Sequence, residues 1–486
     1  MKLSSKKTSR ITPKGSIMLL VIIFGGIFFT VLMGLSGFVL SQNRAQDLAR
    51  SRAEATNIAE AGINYYLWFL SHFPGDITNG TGHAGPYVLS YTDPEGGVLG
   101  TYTLSVTGRT SCGVVQSIDV TSVGNPSGAP GVSSTITAHY AQPSIAEHSM
   151  IVNASTWFDG TIFQGPMHSN GGLRMDNTSN NAPVTSSLSS WSCSSSFGCS
   201  PTRTVAGIFG NGLNQDLWSY PTPQTDFAGI SSDFSSKKTL AQTSGLYFSR
   251  YSTSGNPHRG YHLIFNANGT VTVKRVSSVS NTLMSIPVDG STGYATSVHD
   301  YSLITGETTL GTYAVPPSCS LIFVEDNVWL EGTISSKVTV VAADVAHPGI
   351  RPDMVLRNNI VYTAFDGSVG LTAIASRNVL IGPDTPTDLT LDGIFVAQSG
   401  AFGRNLYACD MPLYQYRGKL SMLGTIVSML RQNNYWIGVC SSGQGAWSGY
   451  PDSQWTFVFD RQNSVNAPPF TPNTSAEWQI VDWQQK

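Results

Sequence analysis

The chain has 486 residues, of which only 12% are charged, against about 25% in ordinary soluble domains. A net charge of −3 gives no electrostatic reason to bind nucleic acid, and none is expected among its partners. Ser, Thr, Asn and Gly fill the polar positions between β-branched runs, a composition suited to a β-rich body outside the cytoplasm rather than to a charged cytoplasmic domain.

Lys2, Lys6, Lys7, Arg10 and Lys14 form a basic leader, followed by a run from Ser16 to Leu40 that contains no charge. At about 1.5 Å per residue this run exceeds the roughly 20 residues needed to cross a bilayer core, so one membrane span is predicted. The positive leader puts the N-terminus in the cytoplasm and the bulk of the chain outside it, as a single-pass protein of a bacterial cytoplasmic membrane in contact with lipid. No small-x-small cleavage pattern follows the apolar run, and the polarity does not collapse into a loop. Instead Leu48, Arg52, Ala55, Ala59, Gly62 and Tyr66 recur at steps of three and four, the spacing of one helix face. The two stretches together predict one continuous helix of roughly 55 residues, stopped by Pro74 and Gly75.

Four alternating runs come next, at Tyr87–Tyr91, Thr101–Val106, Val114–Val120 and Ser133–Tyr140. Turn-length gaps between them predict an antiparallel meander that the outer half of the helix covers. Beyond Pro143 the pattern is strands and turns with almost no helical periodicity. Asn177–Ser200 reads as an exposed polar loop, and the stretch around Asn266-Ala-Asn-Gly269 as a hairpin. From Ser320 short strands recur with a shared signature: Asp159-Gly-Thr-Ile162, Glu331-Gly-Thr-Ile334, Asp392-Gly-Ile-Phe395 and Leu423-Gly-Thr-Ile426. Gly393 and Gly424 lie 31 residues apart, as do Asn327 and Asn358, and Cys409 and Cys440. Such repetition predicts stacked rungs of a β-helix or solenoid. The predicted fold class is therefore α+β followed by all-β. Its units are a leader (1–15), the transmembrane half of the helix (16–40), its extracytoplasmic half (41–74), a small antiparallel β domain (75–143) and a solenoid-like domain (144–486).

Six cysteines outside the cytoplasm permit three disulfides. Cys193 with Cys199, across a Ser-rich loop, is the best local pair, and Cys409 with Cys440 the second. No CxxC and no Cys/His cluster of zinc spacing is present, and no cofactor is indicated. His168 and Ser169 are adjacent, so on a strand they point to opposite faces and do not form a catalytic pair. The segment reads as a turn, with Asn170 and Gly171 in left-handed conformations. Asp384, Asp388 and Asp392 read as turn starters rather than a calcium ladder, and Asn327, Asn358, Asn359 and Asn378 as amide stacks inside rungs. Trp436, Trp447, Tyr450, Trp455, Trp478 and Trp483 read as core or capping material before a sugar-stacking platform. No enzymatic step is expected.

Lys14-Gly15 followed at once by the apolar run resembles the prepilin-peptidase leader of type IV pilin-like proteins. Ile58-Ala-Glu-Ala-Gly-Ile63 resembles the N-terminal helix of PilX-type minor pilins and pseudopilins. The resemblance implies cleavage between Gly15 and Ser16 by that peptidase, and other pilin-like subunits as partners through a helix surface carrying Leu20, Glu60 and Gly62. Major pilins carry Glu at the fifth mature position, where Leu20 stands here, which argues against a bulk filament subunit. Gly165-Pro-Met-His-Ser-Asn-Gly171, the strand repeats, Trp455–Asp460, Ala467-Pro-Pro-Phe470 and Ile480-Val-Asp-Trp483 are similar to an uncharacterised extracytoplasmic solenoid-like domain of some pilin-like proteins. The function implied is a minor pilin-like component of a type IV pilus or pseudopilus, acting at the cell surface in filament assembly or surface contact. A membrane-anchored carbohydrate-binding or carbohydrate-active β-helix protein is one alternative reading, and a permanently anchored envelope protein another.

Overall fold

The computed structural model describes residues 16–228, 233–292, 296–407, 411–437 and 447–486. A single α-helix, α1 (Ser16–His72), runs for 57 residues without a break and ends just before Pro74. Up to Leu48 its side chains are exposed; from Ala55 one face is buried by β1 (Tyr87–Thr92), β2 (Val98–Ser111), β3 (Val114–Pro126) and β4 (Ser134–Ala141). The predicted stripe thus turns inward only at Ala55, leaving Leu48 and Arg52 outside. Ile58, Ile63, Tyr66, Phe69 and Leu70 interlock with Leu104, Val120, Ile136 and Tyr140. Small residues bring the two layers close. A Cβ on Gly124 would lie 2.2 Å from the carbonyl oxygen of Ala55, and one on Gly62 would lie 2.4 Å from Ser122 Oγ.

The sheet has a fifth strand that the sequence reading left in the 144–486 unit. Gln479–Gln485 pairs antiparallel with β4, completing the order β1, β2, β3, β4 and the C-terminal strand. Everything between β4 and that strand is therefore an insertion into one antiparallel sheet. Its two ends stay together, with the Ile145 amide donating to the Pro472 carbonyl (3.1 Å) and the Thr474 amide to the Pro143 carbonyl (2.8 Å).

Within the insertion the strands stack in parallel. One column contains Leu246–Phe248, Leu321–Val324, Lys337–Ala342, Gly370–Ala375 and the C-terminal halves of Leu389–Ala397 and Leu420–Ser428. It then continues not forward in sequence but back to Met150–Val152, Met167–Ser169, Val184–Ser186 and Trp218–Ser219. A second column runs Gly260–Asn266, Asn327–Ile334, Met354–Tyr362, Val379–Ile381 and Phe402–Gly403. A third joins Leu389–Ala397, Leu420–Ser428, Trp455–Val458, Ile162–Gln164 and Ser179–Asn180. Side chains from all three share one apolar interior that includes Val324, Leu356, Leu371, Phe395, Ile426 and Phe163. The stacking order is a circular permutation of the chain order: the rungs made first lie beyond the rungs made last. Entry and exit of the insertion consequently meet at an internal seam, which is why both can join neighbouring strands of the first sheet.

The repeated Gly-Thr-Ile signature marks corners between columns. Gly393 pairs with Gly424 across one rung, so the 31-residue interval is the length of that rung. Gly332 (φ +116°) and Gly424 (φ +133°) hold backbone conformations that L side chains rarely adopt, and a Cβ on either would lie within 2.2 Å of the neighbouring rung's carbonyl oxygen. The helix Phe234–Ser244 was not foreseen. Asp233 caps it, accepting from the Ser236 amide, and Leu240 and Ala241 pack it over Cys319 and Leu321. Asn177–Ser200 is only partly a loop, since Val184 and Trp191 are buried and Ser190–Cys193 pairs with Arg203–Ala206.

The asparagines do not form the amide stacks expected of them. Instead Asn327 Oδ1 accepts from the Asp353 amide (3.0 Å), Asp353 Oδ1 from the Asn378 amide (3.0 Å) and Asn378 Oδ1 from the Ala401 amide (2.8 Å). This side-chain-to-backbone ladder satisfies one amide per turn.

Asp392 is 5% exposed in this framework, with Oδ2 accepting from the Tyr362 amide at 3.0 Å. Burial, reinforced by Asp460, pushes its carboxyl up from 3.8 to about 6. The folded chain therefore holds this proton more tightly than the unfolded chain, and the stability it confers is present below about pH 4 and lost as pH rises towards 6. A rise of that size corresponds to about 3 kcal/mol. Asp392→Asn keeps an oxygen acceptor without the charge. It is expected to raise the unfolding midpoint at pH 7.5 and to match the wild type at pH 4, and a gap that does not close on acidification would contradict the assignment.

Candidate functional site

The largest unpartnered feature is the first half of α1. Between Ile17 and Leu40 every apolar side chain is at least 45% exposed, and the segment is long and apolar enough to cross a membrane. Leu20 lies on this bare surface. Glu60 is exposed on the side of α1 facing away from the sheet and makes no ion pair among the described residues. Gly62 is buried against Ser122 and Tyr102 of the chain's own sheet, so its close contact is internal. Gly15 lies outside the described residues. Ser16 is the first residue of the helix.

Trp68 and Phe73, at and just beyond the end of α1, are each 53% exposed, and Val88 and Val98 on β1 and β2 are exposed as well. The first of these strands is a sheet edge. Arg109 and His139 both reach Asp119 on the outer face, at 2.6 and 2.7 Å, and that carboxyl lies below the usual range, the two hydrogen bonds outweighing its partial burial.

Two disulfides are described. Cys193–Cys199 closes the Ser-rich loop, while Cys112–Cys319 ties the β2–β3 turn to the insertion across 207 residues. Cys112 sits in the turn with φ 52°, and its amide donates to the Ser318 carbonyl at 2.7 Å. No local signal in the sequence could have paired these two, because the contact exists only once the insertion folds back on the sheet. Cys409 and Cys440, the other expected pair, lie outside the described residues.

The residues considered for chemistry are each occupied. His168 lies 2.8 Å from Thr185 Oγ1 and 2.9 Å from Asn170 Oδ1, and burial lowers its basicity. Ser169 points away from it and donates to the Ala154 carbonyl at 3.1 Å. Neither Asn170 nor Gly171 has a positive φ, contrary to expectation. Asn170 instead fixes the segment through side-chain bonds to Asn153 (2.7 Å) and Thr225 (2.8 Å). Asp384 pairs with Arg357 at 3.0 Å, Asp388 accepts from the Lys419 amide at 2.8 Å, and Asp392 is buried as described, so the three carboxylates serve separate partners. Of the late aromatics, Tyr450, Trp455 and Trp478 are buried in cores, Trp436 and Trp447 are half-buried, and Trp483 is exposed on the C-terminal strand.

No protein-family model matches the chain, and no curated protein is significantly similar to it. Among solved structures, the competence-associated pilin ComZ from Thermus thermophilus matches with 14% identity and a TM-score of 0.31, over 90% of this chain and 97% of its own.

Proposed function

We propose that this chain is a minor pilin-like subunit, anchored in the cytoplasmic membrane before it enters a type IV pilus or related pseudopilus. The observation that carries this reading is the division of one unbroken helix, bare and apolar over its first half and clamped to its own antiparallel sheet over its second. A bare helix with small residues can exchange lipid neighbours for other helices with little change in solvation, because lipid tails and apolar side chains are alike in polarity. A rigid continuation into the sheet transmits the position of that helix to the head. We read the three strand columns as a solenoid and the inserted body as the part presented to the surroundings, at the base or tip of the filament. The two disulfides support our reading that this body lies in an oxidising compartment, with the N-terminus in the cytoplasm. Leu20, in place of the acid of major subunits, fits a subunit used in few copies.

The test is to express the full chain with a C-terminal tag in a piliated host lacking its own copy, shear the cells, and compare pili with membranes. The tagged chain is expected in the sheared filament fraction with Ser16 as its first residue. Retention of Met1–Gly15 in a chain confined to the membrane would overturn the proposal.

A further inference from the structure

On the flank of the insertion a cavity of about 340 Å³ opens between Thr156–Asp159, the disulfide-closed Ser-rich loop and Tyr435–Ile437. Trp157, Tyr435 and Trp436 bring aromatic surface to its wall, and Asp159, Asp452 and Arg431 stand between them. From these groups we propose a binding site for a neutral saccharide, the terminal one or two rings of a surface glycan.

The wall is held in place by its own contacts. Arg174 lies over the Trp157 ring at 4.4 Å and donates to the Phe197 carbonyl at 2.5 Å. Arg431 lies over the Phe197 ring at 4.5 Å and donates to the Ser196 carbonyl at 3.0 Å. Two guanidinium groups and one disulfide thus fix a loop that its Ser-rich composition alone would leave mobile. On the other side, Trp436 Nε1 donates to the Arg404 carbonyl at 2.9 Å, which sets the indole's orientation. At the base the Asp159 amide donates to Asp452 Oδ2 at 3.3 Å.

The class of ligand follows from the mixture. Aromatic surface packs against the C–H faces of a pyranose, and carboxyl, guanidinium and hydroxyl groups bond its hydroxyls. Polar groups interleaved with aromatic walls in a small concavity suit a small ligand that is itself part polar and part apolar. A cationic ligand would suit the indoles and carboxylates but would meet Arg431. An anionic one would suit Arg431 but would meet Asp159. A polyol without charge satisfies all three. Burial pushes the Asp452 carboxyl up to about 7, so near neutral pH it is available in its protonated form, able to give and accept a hydrogen bond with a hydroxyl.

The inference does not depend on the helix entering a filament, so either proposal can fail alone. The detergent-solubilised full chain would be applied to a microarray of neutral and charged glycans, and the strongest free saccharide then titrated by calorimetry. Binding to a neutral glycan is expected, with affinity lowered at least tenfold by Trp436→Ala and by Ser196→Trp, and unchanged by Trp483→Ala. Ser196 is exposed, so the second variant fills the opening without disturbing a core, and its unfolding midpoint should equal that of the wild type. Absence of neutral-glycan binding, binding to charged glycans alone, or full affinity in Ser196→Trp would overturn the assignment, whatever Trp436→Ala does.

Discussion

Replacing Cys112 and Cys319 together by serine is expected to cost about 5 kcal/mol, from the loop-closure entropy of a 207-residue crosslink, and to loosen the insertion from the sheet that carries it. The same change at Cys193 and Cys199, which close a loop of 6, is expected to cost about 2 kcal/mol by the same relation. The difference is not only entropic. Cys112 occupies a left-handed turn at the tip of β2–β3, and the insertion also reaches the sheet through two adjacent chain crossings, Pro143–Ile145 and Pro472–Thr474, and through the Phe470 amide, which donates to Gln116 Oε1 on β3 at 2.9 Å. Two crossings side by side and one hydrogen bond restrain a tilt less than a covalent bridge does, so the bridge is expected to remove most of the remaining freedom. For a subunit whose anchor is a rigid helix, this determines whether the body keeps a fixed attitude to the helix axis. Calorimetric midpoints of the two double variants would give the stabilities. Hydrogen exchange at residues 143–145 and 472–474 would report the tilt. Equal losses from the two bridges, with no added exchange at the crossings, would show that Cys112–Cys319 is incidental.

What could be read without coordinates follows the range of the interactions. The helix was legible because its stop signals are local and nothing in 57 residues interrupts it except four glycines in the apolar half and Gly62 in the outer half. The four meander strands were legible because each pairs with its chain neighbour. The strand Gln479–Gln485 was not, because its partner β4 lies more than three hundred residues earlier and no turn announces it. The rung interval was visible in Gly393 and Gly424, where a corner excludes any side chain and so fixes the residue type. The same interval between Asn327 and Asn358 is coincidental, since Val328 pairs with Met354. Nothing in a linear pattern reveals that Met150–Val152 docks beside Leu420–Ser428, because period and hydrophobicity are identical for either stacking order. On the site, the bare helix was evident from composition, whereas Gly62 had been assigned to contacts between helices and lies instead on the chain's own sheet. The aromatic cavity was missed because Trp157 and Trp436 are distant in sequence, and only Trp436 stood out among the late aromatics.

Arg404→Met is expected to destabilise the insertion by about 1–3 kcal/mol, the usual cost of leaving a buried carbonyl without its donor. Arg404 is fully buried, and its guanidinium donates to the carbonyls of Gly382, Pro383 and Tyr414, with its Cζ over the Tyr407 ring, 4.8 Å from the centroid. Burial lowers the guanidinium to about 10, so it remains cationic at neutral pH. The Gly382 carbonyl also accepts from Thr385 Oγ1 (3.1 Å) and the Pro383 carbonyl from Arg417, so methionine would remove one of two donors from each, and would take from the Tyr414 carbonyl, in the short helix Pro412–Gln415, the guanidinium that meets it in a site closed to water. Lysine restores the charge but not the fork, since one ammonium cannot span three acceptors set by a planar group, so Arg404→Lys is expected to recover less than half of the loss. Urea midpoints would measure the cost, and hydrogen exchange would locate it at Gly382 and Tyr414. Because the Arg404 carbonyl holds the Trp436 indole, the same variant should also weaken saccharide binding. Full stability in Arg404→Met would mean that the Tyr414 carbonyl finds another donor, and that the guanidinium is not what holds Gly382, Pro383 and the short helix together.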